Sequence, residues 1–228
     1  MTRVILAAGA APATACDDEA MPLRRFLAAV AVTLAVAVAA GALTPFGQQY
    51  LPEEVSSVAN ASGSWTMVAL LAVYLSRARG VLAAVLGVAA LLALDVTYGA
   101  VSSARGYPYS AGLDSMWTYI AIVAGPLVGL CASWLRSASP RLVAVAVAVP
   151  SAVLVGEGLY GLIQVADTTS PVYWWLEIAG GVAFVAVVSV RMLRTPPLIA
   201  VAGALALAGG ALYYVVYTRV LPAVFSGL

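Results

Sequence analysis

The chain has 228 residues, of which 63% are hydrophobic and 9% are charged, with a mean hydropathy of +1.00 and a formal net charge of +1. A water-soluble protein of this size could not bury so much apolar surface, so the composition predicts that a lipid bilayer surrounds most of the chain. No basic cluster suits nucleic acid, and the absence of histidine excludes histidine-based metal sites, catalytic triads and proton relays.

Residues 1–20 are predicted to be a disordered extension that precedes a more natural start at Met21. The stretch 4–15 is apolar but too short to span a membrane, and it ends at Cys16, which three acidic residues follow. The alternative is a lipoprotein signal ending at Cys16, although its apolar core is short and lacks the usual leucine. Residues 21–228 are then expected to form one transmembrane domain.

Seven apolar segments follow, each long enough to cross a bilayer, which takes about 20 residues. The segments are 23–43, 55–76, 80–100, 115–135, 142–164, 172–190 and 198–217. The sequence therefore predicts an all-α bundle of seven transmembrane spans. The second segment begins with Asn60 and several serines, so we expect its helix either to start late, near Gly63, or to be partly unwound and line a cavity.

The arginines indicate how the bundle is oriented. Alternate ends of the predicted spans hold Arg24, Arg25, Arg77, Arg79, Arg136, Arg141, Arg191 and Arg194. The opposite ends hold only Arg105 and Arg219, together with Glu53, Glu54, Asp114 and Asp167. The positive-inside rule then predicts a cytoplasmic N-terminus and an external C-terminus in a bacterial plasma membrane.

Three carboxylates lie within the predicted spans. At 1.5 Å per residue, Asp95 lies about 22 Å and Glu157 about 24 Å above the cytoplasmic ends of their spans, and Glu177 lies about 7 to 8 Å below the outer surface. All three thus fall in the outer third of the membrane. A carboxylate at this depth is costly and marks a functional site by default. Asp95 and Glu177, nearer the interface, can alternatively be wetted by it.

These positions predict one outward-facing pocket for a small cationic or polar molecule. Carboxylates supply charge, and aromatic rings supply cation–π attraction. Glu157, between glycines and without an arginine nearby on its helix, is the expected main anion, with Asp95 and Glu177 as secondary charges. The expected shaping groups are Asn60, Trp65, Tyr160 and Trp174. Each aromatic residue alone is more typical of the interfacial belt of a membrane protein.

Two other functions remain open. The polar residues can simply join helices in a structural or accessory protein whose partner is another membrane protein. An intramembrane enzyme is the third hypothesis, but HExxH, GxSxG, P-loop and CxxC motifs are all missing, and Asp95 is the only aspartate within a span. We therefore expect no enzyme activity, no cofactor and no metal site, and a transporter component is the expected setting for the pocket.

Four short motifs carry a resemblance to a known family. They are GALTPFGQ at 41–48, ANASGSW at 59–65, GPLVG at 125–129 and GEGLY at 156–160. The chain resembles an uncharacterised multispanning membrane family of actinobacteria, a domain of unknown function, over about residues 23–220. That resemblance implies no activity, cofactor or partner. More loosely, the bundle is similar to the substrate-binding subunits of energy-coupling-factor vitamin transporters, but those usually have six spans.

Overall fold

The computed structural model describes residues 21–226 except 111, 114 and 194, so the expectations for residues 1–20, Asp114 and Arg194 lie outside the described residues. Within the described ranges, all regular structure is helical. The helices are α1 (Leu23–Tyr50), α2 (Ser62–Ser76), α3 (Gly80–Ala104), α4 (Met116–Trp134), α5 (Pro140–Tyr160), α6 (Pro171–Met192), α7 (Pro196–Val215) and α8 (Leu221–Phe225). A 3₁₀ turn (Ser56–Ala59) precedes α2, and π-helical turns extend α5 over Gly161–Val165 and join α7 to α8 over Val216–Val220.

The helical structure confirms the prediction of an all-α protein, and six of these helices are long and apolar enough to cross a membrane, which supports a membrane-embedded protein. The predicted span that differs is the second one, residues 55–76. Its helix α2 has 15 residues and is about 22 Å long, short of the roughly 30 Å hydrocarbon core. As expected, α2 starts late, at Ser62, because the serine-rich stretch before it forms only a 3₁₀ turn.

The turns at the arginine-rich end are short and are made by residues suited to them. Arg77 ends α2 in the left-handed conformation, with φ of 60°, and Gly80 begins α3 with φ of 54°. Prolines open α5 and α7 at this end, and another opens α6 at the opposite end. Each lies in the first helical turn, where a missing N–H leaves no hydrogen bond unmade. Successive long helices are therefore antiparallel, and the described arginines before and after these turns lie at one end of the bundle.

Helix α5 lies at the centre. In its apolar stretch of 18 residues 67% are buried, against at most 39% in the corresponding stretches of the other long helices. It packs on α6 and α7, and also on α4 and α2. Helix α3 packs on both α1 and α4. The small-residue motif of 125–129 forms a packing face, because Gly125 and Gly129 leave no room for a side chain against α3 at Gly87.

The start of α2 lies inside the bundle. Ala61, its N-cap residue, is 2% exposed and carries no side-chain cap of its own. The first N–H groups of a helix have no partner within that helix, and burial denies them water. The fold must therefore supply acceptors from neighbouring helices, and this requirement brings the buried acids to α2.

Candidate functional site

Glu157 of α5 caps the buried start of α2. The backbone N–H of Ser62 donates to Glu157 Oε1 at 2.8 Å, and the N–H of Gly63 donates to Oε2. The side chain is 5% exposed. A carboxylate at a helix N-terminus is stabilised both by these hydrogen bonds and by the helix dipole. Glu157 thus does for α2 what a local Ser or Asp does in other helices.

Glu177 of α6 completes a carboxyl pair with Glu157. Glu177 Oε2 is buried and has no hydrogen-bond partner among the described residues. The hydroxyl of Tyr173 donates to Glu177 Oε1 at 3.1 Å. The pair encloses Gly63 so closely that a Cβ there would meet Glu177 Oε1 and lie 3.0 Å from Glu157 Oε2. The first turn of α2 therefore has to carry glycine at this position.

Asp95 of α3 lies in a separate place and is 1% exposed. The hydroxyl of Tyr109, in the loop after α3, donates to Asp95 Oδ1 at 2.6 Å. Burial raises the pKa of this tyrosine, and the hydrogen bond to Asp95 adds to the increase. Oδ2 is buried and has no hydrogen-bond partner within the described residues. A buried carboxylate oxygen in this state is unusual, because leaving it unpaired costs free energy.

Four aromatic rings stand next to Asp95 and enclose a cavity of about 110 Å³. The ring centroids of Trp65 and Tyr98 are 5.6 Å apart, those of Tyr98 and Tyr109 are 4.9 Å apart, and those of Trp65 and Trp117 are 6.4 Å apart. We call these four residues the aromatic cage. Asn60 and Ser62 complete the lining. Asn60 is exposed, so the cage opens toward the end of the bundle opposite the arginine-rich turns.

A second, smaller cavity of about 50 Å³ lies beside the cage and is lined by Asp95. It shares Ser62, Trp65 and Trp117 with the lining of the cage. The buried carboxylate and the aromatic rings therefore lie side by side at this end of the bundle. This arrangement combines a negative charge with ring faces, which is the chemistry that attracts a cation.

The structure divides the predicted site residues into two clusters that meet at Ser62. Asp95, Asn60 and Trp65 border the two neighbouring cavities, whereas Glu157 caps the start of α2 and Glu177 lies beside it. The other two shaping residues lie elsewhere. The ring of Tyr160 packs at 4.5 Å from that of Tyr217, and Trp174 donates from Nε1 to Thr169 Oγ1 at 2.8 Å and fills the space beside Gly161. The single shared pocket expected from helical depth is thus replaced by a cage and a carboxyl pair.

Sequence reasoning did not assign Tyr109 or Trp117 to the site. Tyr98 had a signal, because it lies three residues after Asp95 on the same helix face. The contact of Tyr109 depends on how the loop after α3 folds back over the helix end, and no periodicity encodes that path. Trp117 begins α4 at a position typical of the interfacial belt, so its pattern alone does not distinguish the cage from a membrane anchor.

Within residues 21–226, gaps apart, no group of three Asp, Glu, Cys or His side chains converges as a metal site would require. Cys131, on α4, is fully buried in the hydrophobic core. The cage and the cavity beside it combine aromatic walls with one carboxylate, Asp95, a set of groups suited to an organic cation. Small divalent ions instead prefer several oxygen ligands.

The helices and their interior carboxylates define a class: a multi-helix protein embedded in a membrane, with acidic groups held inside the bundle. Within that class, the chain belongs to a family of unknown function, DUF6518, whose family model matches residues 20–223. This match confirms that the chain is a member of an uncharacterised family. No curated protein and no solved structure matches the chain.

Proposed function

We propose that this protein is a non-enzymatic membrane protein that binds a small organic cation in the aromatic cage, with Asp95 as the anion. The observation that carries the proposal is the unpartnered Oδ2 of Asp95, a residue that lines a cavity sharing three lining residues with the cage. A cation there would pair with this oxygen and remove the cost of leaving it alone at membrane depth. The rings of Trp65, Tyr98, Tyr109 and Trp117 would add cation–π attraction.

The charge pattern at this end of the bundle supports a positively charged ligand. A surface hollow of about 350 Å³ is lined by Glu53, Glu54 and Asp167, in the two loops that precede α2 and α6. Acidic rims of this kind raise the local concentration of cations and speed their capture. With the orientation predicted from the arginines, this end faces the exterior, so the cage would take up its ligand from outside the cell.

In this proposal Glu157 and Glu177 position the site and do not touch the ligand. By holding the first turn of α2, the carboxyl pair fixes Ser62 and the preceding Asn60 at the mouth of the cage, and Trp65 one turn further on. The role of main anion therefore moves from Glu157, the residue favoured by sequence, to Asp95. The reason is that both Glu157 oxygens already accept backbone hydrogen bonds, whereas one oxygen of Asp95 accepts none from the described residues.

A second candidate function is a structural or accessory membrane protein. The observation that favours it is the same capping of α2 by Glu157, which shows that one buried acid of this bundle serves helix packing. In that case the Asp95–Tyr109 hydrogen bond would only fasten the loop after α3, and the cage would stay filled with water. A transporter component would in contrast use the cage to recognise its substrate.

Binding of methylammonium to the purified protein in detergent tests the proposal. Calorimetric titration at constant ionic strength, with sodium replacing methylammonium in the blank, should show binding to the wild type. Asp95→Asn should abolish it, since asparagine keeps an acceptor for Tyr109 but carries no charge. Glu177→Gln is the matched control and should retain binding. Wild-type protein without affinity for methylammonium, or an Asp95→Asn variant that binds normally, would support the structural alternative.

A further inference from the structure

The small cavity at Asp95 lies beside a much larger apolar cleft of about 330 Å³. The cavity that contains Asp95 shares Ser62, Thr66 and Trp117 with this cleft, and also Ile120 and Ala124. These shared residues make the two spaces direct neighbours along α4. A small polar space and a long apolar space thus lie next to each other.

The far walls of the cleft come from α4, α5, α7 and α8. They are formed by Tyr119, Val123, Val153, Val216, Leu221 and Phe225, with Tyr213 and Tyr217 along one side. Val123 is 80% exposed, so the cleft is open at the flank of a membrane-embedded helix, where lipid chains lie. The ring of Phe225 closes one end of the cleft against Tyr119, with 5.6 Å between the centroids.

We propose that the ligand is a primary amine that carries an unbranched apolar chain, a refinement that rests on the cation site proposed above. The ammonium group would lie in the cage against Asp95, and the chain would lie in the cleft between α4 and the π-helical continuation of α7. Charge complementarity sets the orientation of the ligand. The ammonium group pairs with the carboxylate in the polar space, and the chain lies against the mostly aliphatic and aromatic surface of the cleft.

The hydrogen-bond acceptors around the polar space favour a primary ammonium over a quaternary one. A primary ammonium has N–H groups to donate, and Asp95 Oδ2 and the side-chain oxygens of Asn60 and Ser62 can accept them. A quaternary head would leave these acceptors without hydrogens.

A series of straight-chain amines tests this inference. Methylamine, butylamine and octylamine would compete with radiolabelled methylamine for the purified protein at a fixed detergent concentration, with octanol as the uncharged counterpart of octylamine. Each methylene buried in the cleft should strengthen competition, up to about fourfold per group. Octanol should compete far less than octylamine, because it lacks the charge that pairs with Asp95.

Two matched variants locate the chain. Val153 lines the cleft but not the cage, so Val153→Phe should fill the cleft alone. It should lower the affinity for octylamine toward that for methylamine and leave the affinity for methylamine unchanged. Val182→Phe makes the same change at a half-exposed position on α6 outside the cleft and should behave as wild type. In Asp95→Asn, competition by every amine should disappear.

The outcomes separate the inference from the proposal under it. If methylamine binding requires Asp95 but octylamine competes no better than methylamine, the cation site is supported and the chain-binding cleft is overturned. An octylamine gain that Val153→Phe leaves intact, or that survives in Asp95→Asn, places the chain in detergent or on another surface and also overturns it. If neither methylamine nor octylamine binds, both the cation site and the cleft inference fail.

Discussion

A single glutamate deep in an apolar helix needs compensation, and Glu157 obtains it from backbone N–H groups, with no arginine involved. Hydrogen bonds to a charged acceptor contribute about 1.5–3 kcal/mol each, so two of them can offset a large part of the cost of burying the charge. The lack of a nearby arginine, which made Glu157 look available for a ligand, has this explanation. Asp95 Oδ2 and Glu177 Oε2 are both buried without a hydrogen-bond partner among the described residues, and of these two acids it is Asp95 that lines the cavity beside the cage.

Amide substitutions in the carboxyl pair should have unequal effects. Glu157→Gln places an NH₂ group where the N–H of Ser62 or Gly63 needs an acceptor, so the free energy of unfolding should fall by about 1–3 kcal/mol. Glu177→Gln should be close to neutral, because its carbonyl still accepts from Tyr173 and its NH₂ can donate to the neighbouring Glu157 carboxylate. Thermal unfolding in detergent measures both variants. Equal losses would contradict the capping role of Glu157.

At the scale of elements, the first turn of α2 is the part on which both clusters depend. It receives the carboxyl pair on one side, and Ser62 and Trp65 of the same helix border the cage. The turn is also confined, since Gly63 touches Glu177 and lies next to Leu154 of α5. A displacement of α2 along its axis would therefore alter the capping and the shape of the cage together.

A glycine-to-alanine pair tests this confinement. Gly63→Ala adds a Cβ that would lie 2.8 Å from Leu154 Cδ2 and closer still to Glu177, so we expect a loss of about 1–3 kcal/mol in stability. Gly180→Ala on α6 adds a Cβ with nothing within 4 Å and should stabilise the protein by about 0.5–1 kcal/mol. Denaturant or thermal unfolding compares the two. A stable Gly63→Ala variant would show that the turn can shift freely.

Sequence reasoning reached the elements well and the site only in part. Hydropathy and the arginine turns located the long helices, and the serine-rich start of the second segment indicated the late beginning of α2. The depth argument placed Asp95, Glu157 and Glu177 at one level, near the polar start of the second segment. It could not show which face of each helix meets α2, because contacts such as that of Gly87 with Gly129 set the rotation of each helix about its axis. That rotation decides whether an acid caps α2, as Glu157 does, or lies beside the cage, as Asp95 does.

Across the whole molecule, charge is distributed unevenly between the two ends. The described arginines of the short turns lie at one end, and Glu53, Glu54 and Asp167 lie in loops at the other. This asymmetry makes the orientation of the chain a physical expectation that cells can test directly.

Cysteine labelling of intact cells measures that orientation. With Cys16 and Cys131 replaced by serine, a membrane-impermeant maleimide should label a Thr168→Cys variant, in the loop before α6. An Ala138→Cys variant, in the turn before α5, should react only after the membrane is permeabilised. Both positions are exposed, so access to the reagent is the only intended difference. The reverse pattern would place the cage on the cytoplasmic side and invert the proposed direction of ligand capture.

The capping of α2 by Glu157 also constrains the order in which the chain can mature. Ser62 and Glu157 are 95 residues apart, so the ribosome delivers α2 long before its acceptor exists. Until α5 and α6 have been synthesised, the exposed N–H groups of Ser62 and Gly63 need water or a chaperone. The start of α2 therefore obtains its cap only after the second half of the bundle has been synthesised.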